Sequence, residues 1–479
     1  MVFSSSTFLM AFLPLTLLLY YGVGMALTKN VTVKNCILLL ASLVFYAWGE
    51  PVYIVLMLLS ILFNFAAGRV IDNALTDGRT GLAKFQFVID VVYNLAVLGF
   101  FKYADFVVDN INGIFGAHIP PLELPLPIGI SFYTFQTITY IVDVYRDKAP
   151  VQKNYAYLLL YVSMFPQLIA GPIVKYADIE AQIRKRTLHG KDVGEGVLRF
   201  LVGLFKKAIL ANVAGEVAST FLDGDLSNLS LLGAWLGILS YTLQIYFDFS
   251  AYSDMAIGLG RIFGFKYKEN FNYPYIANSI TDFWRRWHIS LTTFFREYLY
   301  IPLGGNRKHQ VLNLFIVWAL TGFWHGASWN FIAWGLYYFV LILAEKLFLG
   351  KALESIPRVF GHIYTLLLVV LGWGLFYFDD MSRLRQFFSV LFGFGASAGA
   401  TAGDVSILLN HLLFFVFAIV ACLPVSRYIR ERYIAFGRSS VPNSKLADAG
   451  IVVFAVILLF INTAAIVGST YNPFLYFRF

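Results

Sequence analysis

Long apolar runs, spread over almost the whole chain, limit its possible folds more than any other feature of the sequence. A helix needs about 20 mainly apolar residues to cross the hydrocarbon core of a bilayer. Of the 479 residues, 59% are hydrophobic and 13% are charged, whereas a soluble domain has roughly 25% charged residues. The alternating pattern of an outer-membrane barrel is absent. The sequence therefore predicts an all-α, polytopic membrane protein, with spans in the apolar runs at residues 8–27, 54–67, 231–243, 311–324 and 451–466.

The placement of basic residues predicts how the chain is oriented, because cytoplasmic loops carry an excess of lysine and arginine. Lys29 and Lys34 follow the first run, so we expect this loop to be cytoplasmic. Residues 105–126 and 222–230 contain no lysine or arginine and are expected outside. The first run is interpreted as a retained span, since no basic residue precedes it and it is longer than the apolar part of a signal peptide. Further cytoplasmic loops are expected at residues 69–84, 146–153, 184–191 and 427–438.

A single plain crossing does not fit residues 161–179. This segment lies between two basic stretches that are expected on the same side of the membrane. Pro166 and the pair Gly171–Pro172 would also break a helix here. We therefore predict a re-entrant or interfacial hairpin, whose irregular backbone has to be buried in protein or line a wet cavity.

Residues 311–344 are too long for one span. They form 34 residues without lysine, arginine, aspartate or glutamate, well above the ~20 that a crossing needs. The segment must tilt strongly or split in two. The natural break is in "TGFWHGASWN" (321–330), between Gly322 and Gly326, and His325 lies at that break. The spacing of the two glycines would also allow another backbone to approach closely.

The stretch "TDFWRRWHISLTTFFREYLYIPLGGNR" (281–307) combines charges with aromatic residues. If it is helical, Asp282 can pair with Arg286 four residues on, and Arg285 shares a face with His288. One interpretation is a basic amphipathic helix on the inner leaflet. The functional alternative is that Arg285, Arg286 and Arg296 bind an anionic donor, since guanidinium groups bind phosphate well.

Two carboxylates, Asp248 and Asp254, interrupt the apolar sequence upstream of this stretch. Carboxylates at membrane depth are costly and normally pair with a cation or line a path. We expect both to pair with the nearby arginine stretch, in a structural rather than a catalytic role.

Support for a metal or disulfide site is weak. Cys36 and Cys422 lie in apolar runs and are interpreted as small core residues. His288 and His325, with Asp254 or His309, could supply three zinc ligands, but no compact ligand spacing supports such a site. We therefore expect no metal and no bound cofactor.

Five segments together resemble the membrane-bound O-acyltransferases, and within them the bacterial polysaccharide O-acetyltransferase branch. The most specific are "SITDFWRRWHISLTTFFREYLYIPLGGNR" (279–307) and "LTGFWHGASWNFIAWG" (320–335). The others are "LPLPIGISFYTFQTITYIVDVYR" (124–146), "FPQLIAGPIVKYADI" (165–179) and "YNPFLYFRF" (471–479). The resemblance covers nearly the whole chain. It implies one multi-span domain over residues 1–479, with its catalytic centre at roughly 124–345.

This resemblance implies a ring of tilted and broken helices around a central funnel or tunnel. His325 would be the catalytic histidine and His288 the second active-site residue. Acetyl-coenzyme A or another acyl thioester would be the cytoplasmic donor. An extracytoplasmic partner protein would place the acyl group on a cell-surface polysaccharide, and no nucleic acid would be involved. The protein would be a multi-pass protein of the bacterial inner membrane.

The chemistry of acyl transfer agrees with these assignments without requiring them. A hydroxyl acceptor needs a base, and an imidazole with a pKa near 6.5 is suited to that role. A membrane histidine can equally be a hydrogen-bonded packing residue. Broken helices and intramembrane charges also mark transporters, so a transporter or flippase of a cell-envelope building block stays the alternative, although the expected inverted repeat is absent. A structural scaffold for polymer export would not require His325.

Overall fold

The structure, a computed structural model, describes residues 1–28, 30–169, 171–439, 441–468 and 475. Within these residues the regular secondary structure is helical. In chain order the helices are α1 (Phe8–Ala26), α2 (Val31–Gly49), α3 (Tyr53–Thr76), α4 (Thr80–Phe115), α5 (Ile130–Tyr145), α6 (Tyr155–Ser163), α7 (Phe165–Leu168), α8 (Tyr176–Arg184), α9 (Gly190–Phe205), α10 (Asn212–Leu222), α11 (Leu231–Ile262), α12 (Ile280–Arg286), α13 (Ile289–Phe294), α14 (Gln310–His325), α15 (Trp329–Ala344), α16 (Gly350–Ser355), α17 (Arg358–Tyr377), α18 (Met381–Leu391), α19 (Ala402–Asn410), α20 (Leu412–Ala421), α21 (Val425–Ser439) and α22 (Val441–Gly468). Lys29 and the 471–479 tail, except Leu475, lie outside the described residues.

Seven of the described helical stretches are long and apolar enough to cross a membrane, and the bent pair α19–α20 would make an eighth. This confirms the prediction of an all-α, multi-pass membrane protein. The apolar run at residues 231–243 lies in α11, and the run at 311–324 lies in α14, which has 16 residues. Neither of these two helices belongs to the seven, which are α1 to α4, Trp329–Ser355, α17 and Lys445–Gly468.

Contacts divide the chain into two compact units. The first contains Met1–Phe200 and Ser253–Lys268, and the second contains Leu201–Tyr252 and Glu269–Phe479. Both histidine-containing segments belong to the second unit. The single functional domain that the sequence suggests, and the ring around a funnel, stay predictions.

The first unit is organised around α5, in which every residue from Ile130 to Val144 is buried. The chain does not form one continuous helix over residues 161–179, as predicted. α6 ends at Ser163, the one-turn helix α7 follows, and residues 171–175 are non-helical and mostly buried. Burial within protein is the condition under which irregular backbone is tolerated at membrane depth.

The prediction that both cysteines are core residues is correct for one of them. Cys422 is buried, but Cys36 is exposed on α2, so it is not a core residue. An apolar run by itself does not show which face of a spanning helix packs against protein, and this explains the error at Cys36.

Candidate active site

His325 lies at the turn of a helical hairpin. It is the last residue of α14, and α15 begins at Trp329 after three non-helical residues. The two helices run antiparallel, since Trp318 contacts Trp334 and Tyr338 while Gly322 contacts Gly335. The long uncharged segment therefore splits in two, as predicted, with the break directly after His325.

The glycines near His325 let the two arms of the hairpin approach. A Cβ added to Gly322 would lie 2.3 Å from the carbonyl oxygen of Phe331, and one added to Gly326 would lie 2.2 Å from the Phe331 ring. Neither distance is compatible with a side chain. Gly322 lies inside α14 rather than at the break, so its role is close packing of the arms, whereas Gly326 begins the turn.

Aromatic rings surround the half-buried imidazole of His325. The ring centroids of Trp324, Trp334 and Phe376 lie 4.8, 4.9 and 5.1 Å from it, and Phe331 lies 6.5 Å away. The imidazole is therefore an ionisable group among aromatic rings.

The charged stretch enters this aromatic core and leaves it again. At its start, the carboxylate of Glu345 accepts hydrogen bonds from the backbone N–H groups of Ile280 and Thr281, at 2.6 and 2.8 Å. Farther along, Trp284 contacts Tyr338, with ring centroids 4.9 Å apart. On the return, the Lys346 ammonium group donates to the Asn306 side chain at 3.2 Å. Entry and exit are therefore at the open end of the α14–α15 hairpin.

His288 is one of the buried residues of this stretch. Its φ of 43° lies in the left-handed region, which few non-glycine residues adopt, and it separates α12 from α13. The side chain is 1% exposed. Its ring lies 4.6 Å from that of Phe249 and 6.1 Å from that of Trp324. Since Trp324 also contacts His325, the fold brings both predicted histidines to one indole.

This path changes two interpretations of the charged stretch. It is not one continuous helix on a membrane surface, because the chain breaks at Trp287–His288 and Phe283, Trp284 and Trp287 are buried. Arg285 and His288 also do not share a face, since Arg285 is exposed. Phe283, Trp284 and Trp287 lie in the hydrophobic core of the second unit.

The three arginines have different surroundings. Arg286 is bound to Asp282 as predicted, with its Nε 3.0 Å from both carboxylate oxygens, and its Nη1 donates to the Asn272 carbonyl at 3.3 Å. Arg285 and Arg296 are exposed. The guanidinium groups of Arg285 and Arg296 are therefore exposed. That of Arg286 is held by Asp282 and by the backbone of Asn272.

Comparison with known proteins identifies the family. A family model described as MBOAT, the membrane-bound O-acyltransferase family, matches residues 81–384. The chain belongs to this family. It is 37% identical over 509 residues to a "probable alginate O-acetylase" of Azotobacter vinelandii, covering all of both chains. It is 34% identical over 519 residues to a peptidoglycan O-acetyltransferase of Helicobacter pylori, covering all of this chain and 98% of the relative.

A further relative matches about half of this chain. The teichoic acid D-alanyltransferase of Bacillus subtilis is 30% identical over 251 residues, covering 48% of this chain and 62% of the relative. The matched family makes this multi-pass membrane protein an O-acyltransferase.

The carboxylates of this O-acyltransferase have other partners than expected. Asp248 pairs with Lys207, at 2.6 Å from Nζ to Oδ1, and accepts the backbone N–H of Leu475 at 2.9 Å. Asp254 pairs with Arg199 at 2.8 Å. The prediction that both carboxylates pair with the arginine stretch is therefore wrong, although each does have a cationic partner.

The alternative zinc ligands, His288 and His325 with Asp254 or His309, do not come together among the described residues. Over the described ranges, no three histidine, cysteine, aspartate or glutamate side chains lie close enough together to hold a metal ion.

Sequence reasoning missed the residues that hold His288 in place. Asn270 is completely buried, and its side-chain oxygen lies 3.2 Å from Nδ1 of His288. Ser290 and Phe249 also contact the ring. Asn270 precedes His288 by 18 residues in a non-helical segment, and a single polar residue there carries no local signal.

Proposed function

We propose that this acyltransferase takes an acetyl group from a cytoplasmic thioester and passes it across the membrane to hydroxyl groups of a cell-surface polysaccharide, or to a partner protein that modifies such a polymer. The acetyl group and the polymer come from the two full-length relatives, which are named as alginate and peptidoglycan O-acetylating proteins. The observation that carries the proposal is the convergence of His325 and His288 on Trp324.

His325 is the general base in this proposal. The acceptor oxygen attacks the thioester carbonyl carbon while the imidazole removes the hydroxyl proton. The carbon–sulfur bond then breaks, and the departing sulfur takes the proton, so that an ester and a free thiol are formed. A positioned base typically contributes about 10²–10⁴-fold to such a step. The aromatic surroundings of His325 support this role, because exclusion of water protects the thioester from hydrolysis.

The two exposed arginines, Arg285 and Arg296, hold the donor in this proposal and are called the outer arginines. Acetyl-coenzyme A carries several phosphate charges, and only its acetyl group has to reach His325. Arg285 and Arg296 are exposed and lie on either side of His288 in the sequence, whereas Arg286 is bound to Asp282. In this proposal the phosphates of the donor are therefore held by Arg285 and Arg296.

Changing either outer arginine to glutamine should weaken donor binding without loss of stability. A hydrogen bond to a charged group is worth about 1.5–3 kcal/mol, so Arg285→Gln and Arg296→Gln should each raise the dissociation constant for coenzyme A roughly 10- to 100-fold. Arg286→Gln should mainly lower the thermal unfolding midpoint. Arg385→Gln, an exposed arginine on α18, is the matched control. Unchanged coenzyme A binding in both outer variants would remove the arginines from the donor site.

Inverted membrane vesicles provide the direct test of the proposed function. Their cytoplasmic face is outside, so radiolabelled acetyl-coenzyme A added to them should yield alkali-labile label on polysaccharide or protein in the lumen. Vesicles without the protein provide the background. Label that enters the lumen without forming an ester, or an envelope building block that crosses without acetylation, would favour the transporter or flippase instead.

A further inference from the structure

The side chain of Asn270 fixes the orientation of the His288 ring. Its Oδ1 accepts hydrogen bonds from the backbone N–H of Ser290, at 3.1 Å, and from the Ser290 hydroxyl, at 2.9 Å. A backbone N–H can only donate, so the amide atom that faces Ser290 must be the oxygen. The Asn270 amide therefore presents its oxygen to Ser290.

The same oxygen determines which nitrogen of His288 carries the proton. Nδ1 lies 3.2 Å from Asn270 Oδ1. An amide oxygen has no proton to donate, so a hydrogen bond over this distance requires the proton on Nδ1. In the neutral ring, Nε2 then carries a lone pair and no proton. The Ser290 hydroxyl is 3.4 Å from Nδ1 and can share this proton as a second acceptor.

His288 stays neutral under ordinary conditions. Burial lowers the pKa of its imidazole to about 3, because a charged ring would lose its hydration, and no charged group contributes to the shift. Nε2 is buried and has no hydrogen-bond partner among the residues that the structure describes. The phenyl ring of Phe249 stands nearly perpendicular to the imidazole, at 86°, and restricts its rotation.

We propose that Asn270 is a positioning residue that holds His288 in the Nδ1–H tautomer. Nε2 can then accept a hydrogen bond from a group of the reacting complex. This deepens the proposed acyl transfer and rests on it for its catalytic meaning. A bare Nε2 cannot donate a hydrogen bond to the oxyanion of the intermediate. It can accept one from the hydroxyl group that attacks the thioester. The oxyanion must therefore find its donors elsewhere in the site.

The tautomer can be observed directly in the resting protein. Nitrogen-15 NMR of histidine-labelled protein, assigned with a His288→Gln variant, should show a neutral His288 with its proton on Nδ1 at pH 7. In Asn270→Leu the signal should move toward the Nε2–H form or a mixture. A wild-type Nε2–H form, or an unchanged Nδ1–H form in Asn270→Leu, would overturn the proposal. This measurement does not require activity, so it can fail or succeed independently of the acyl-transfer function.

Kinetic measurements separate positioning from a purely structural effect. The loss of a group that orients a metal-ligating histidine typically costs about 10- to 100-fold. By analogy, Asn270→Leu should lower kcat by this order with unchanged coenzyme A binding. Asn270→Asp keeps an acceptor oxygen but adds a negative charge beside Nδ1–H, which raises the pKa of His288. In Asn270→Asp, the loss of activity on the acidic side of the pH profile should therefore occur at higher pH. The proton of neutral His288 should stay on Nδ1.

Asn272→Leu is the matched control, since Asn272 is an exposed residue of the same type two positions away. It should keep the wild-type tautomer, kcat and pH profile. If Asn270→Leu and Asn270→Asp lost activity only in proportion to folded protein, with an unshifted pH profile for the folded fraction, Asn270 would be structural and the proposal wrong.

Discussion

His325→Ala should reduce acyl transfer by about 10²–10⁴-fold, the usual contribution of a general base. The side chain is half-buried at the end of α14, and the adjacent turn is formed by Gly326 and the residues that follow it. Removal of the imidazole therefore leaves the hairpin contacts of Gly322 and Trp318 in place. Vesicles with equal amounts of wild-type and variant protein, supplied with radiolabelled acetyl-coenzyme A, give the measurement.

Two further variants make this result specific. His325→Gln keeps a polar side chain of similar reach but has no basic nitrogen, so it should be as inactive as His325→Ala. His118→Ala removes an exposed histidine from the loop between α4 and α5 and should leave activity unchanged. Acyl transfer near the wild-type rate in either His325 variant would exclude this imidazole as the base.

The largest effect on stability is expected from the pair Lys207–Asp248. The two side chains are 4% and 2% exposed, and their charged atoms lie 2.6 Å apart. Loss of one partner from a buried pair typically costs about 3–5 kcal/mol, because the other charge stays buried and uncompensated. Lys207→Met should therefore lower the free energy of unfolding by this amount, as measured by equilibrium unfolding in mixed detergent micelles.

An exposed ion pair of the same length is the control for burial. Lys268 and Asp178 are also 2.6 Å apart, but the lysine side chain is 69% exposed. Lys268→Met should therefore cost no more than about 1 kcal/mol. Replacement of both buried partners, in Lys207→Met with Asp248→Leu, should restore most of the lost stability. Equal losses in Lys207→Met and Lys268→Met would show that burial does not set the strength of the Lys207–Asp248 pair.

Several features of the fold followed from local pattern. Runs of apolar residues indicated spanning helices, since a bilayer requires their length and composition. Proline and glycine indicated the break within residues 161–179, and excess length indicated the split after His325. In each case the physical cause lies within one continuous segment of the chain, so the sequence alone carries the information.

The partners of the charged residues required the tertiary structure. Arg286 and Asp282 are four residues apart on one helix, and their pairing was predictable. Lys207 and Asp248 are on elements far apart in the chain, and the nearby arginines were the wrong choice for Asp248. A buried charge requires a partner, but the sequence does not specify which of several cations the packing brings to it.

The sequence by itself determined that this is a multi-pass helical membrane protein of the O-acyltransferase family, and it singled out His325 and His288 through long and specific motifs. Only the tertiary structure decided that the charged stretch turns inward at His288, that both histidines contact Trp324, and that Asn270 holds the His288 ring. The physical reason is that spanning and breaking depend on neighbouring residues. The surroundings of a buried imidazole are instead assembled from helices and loops that are distant in sequence.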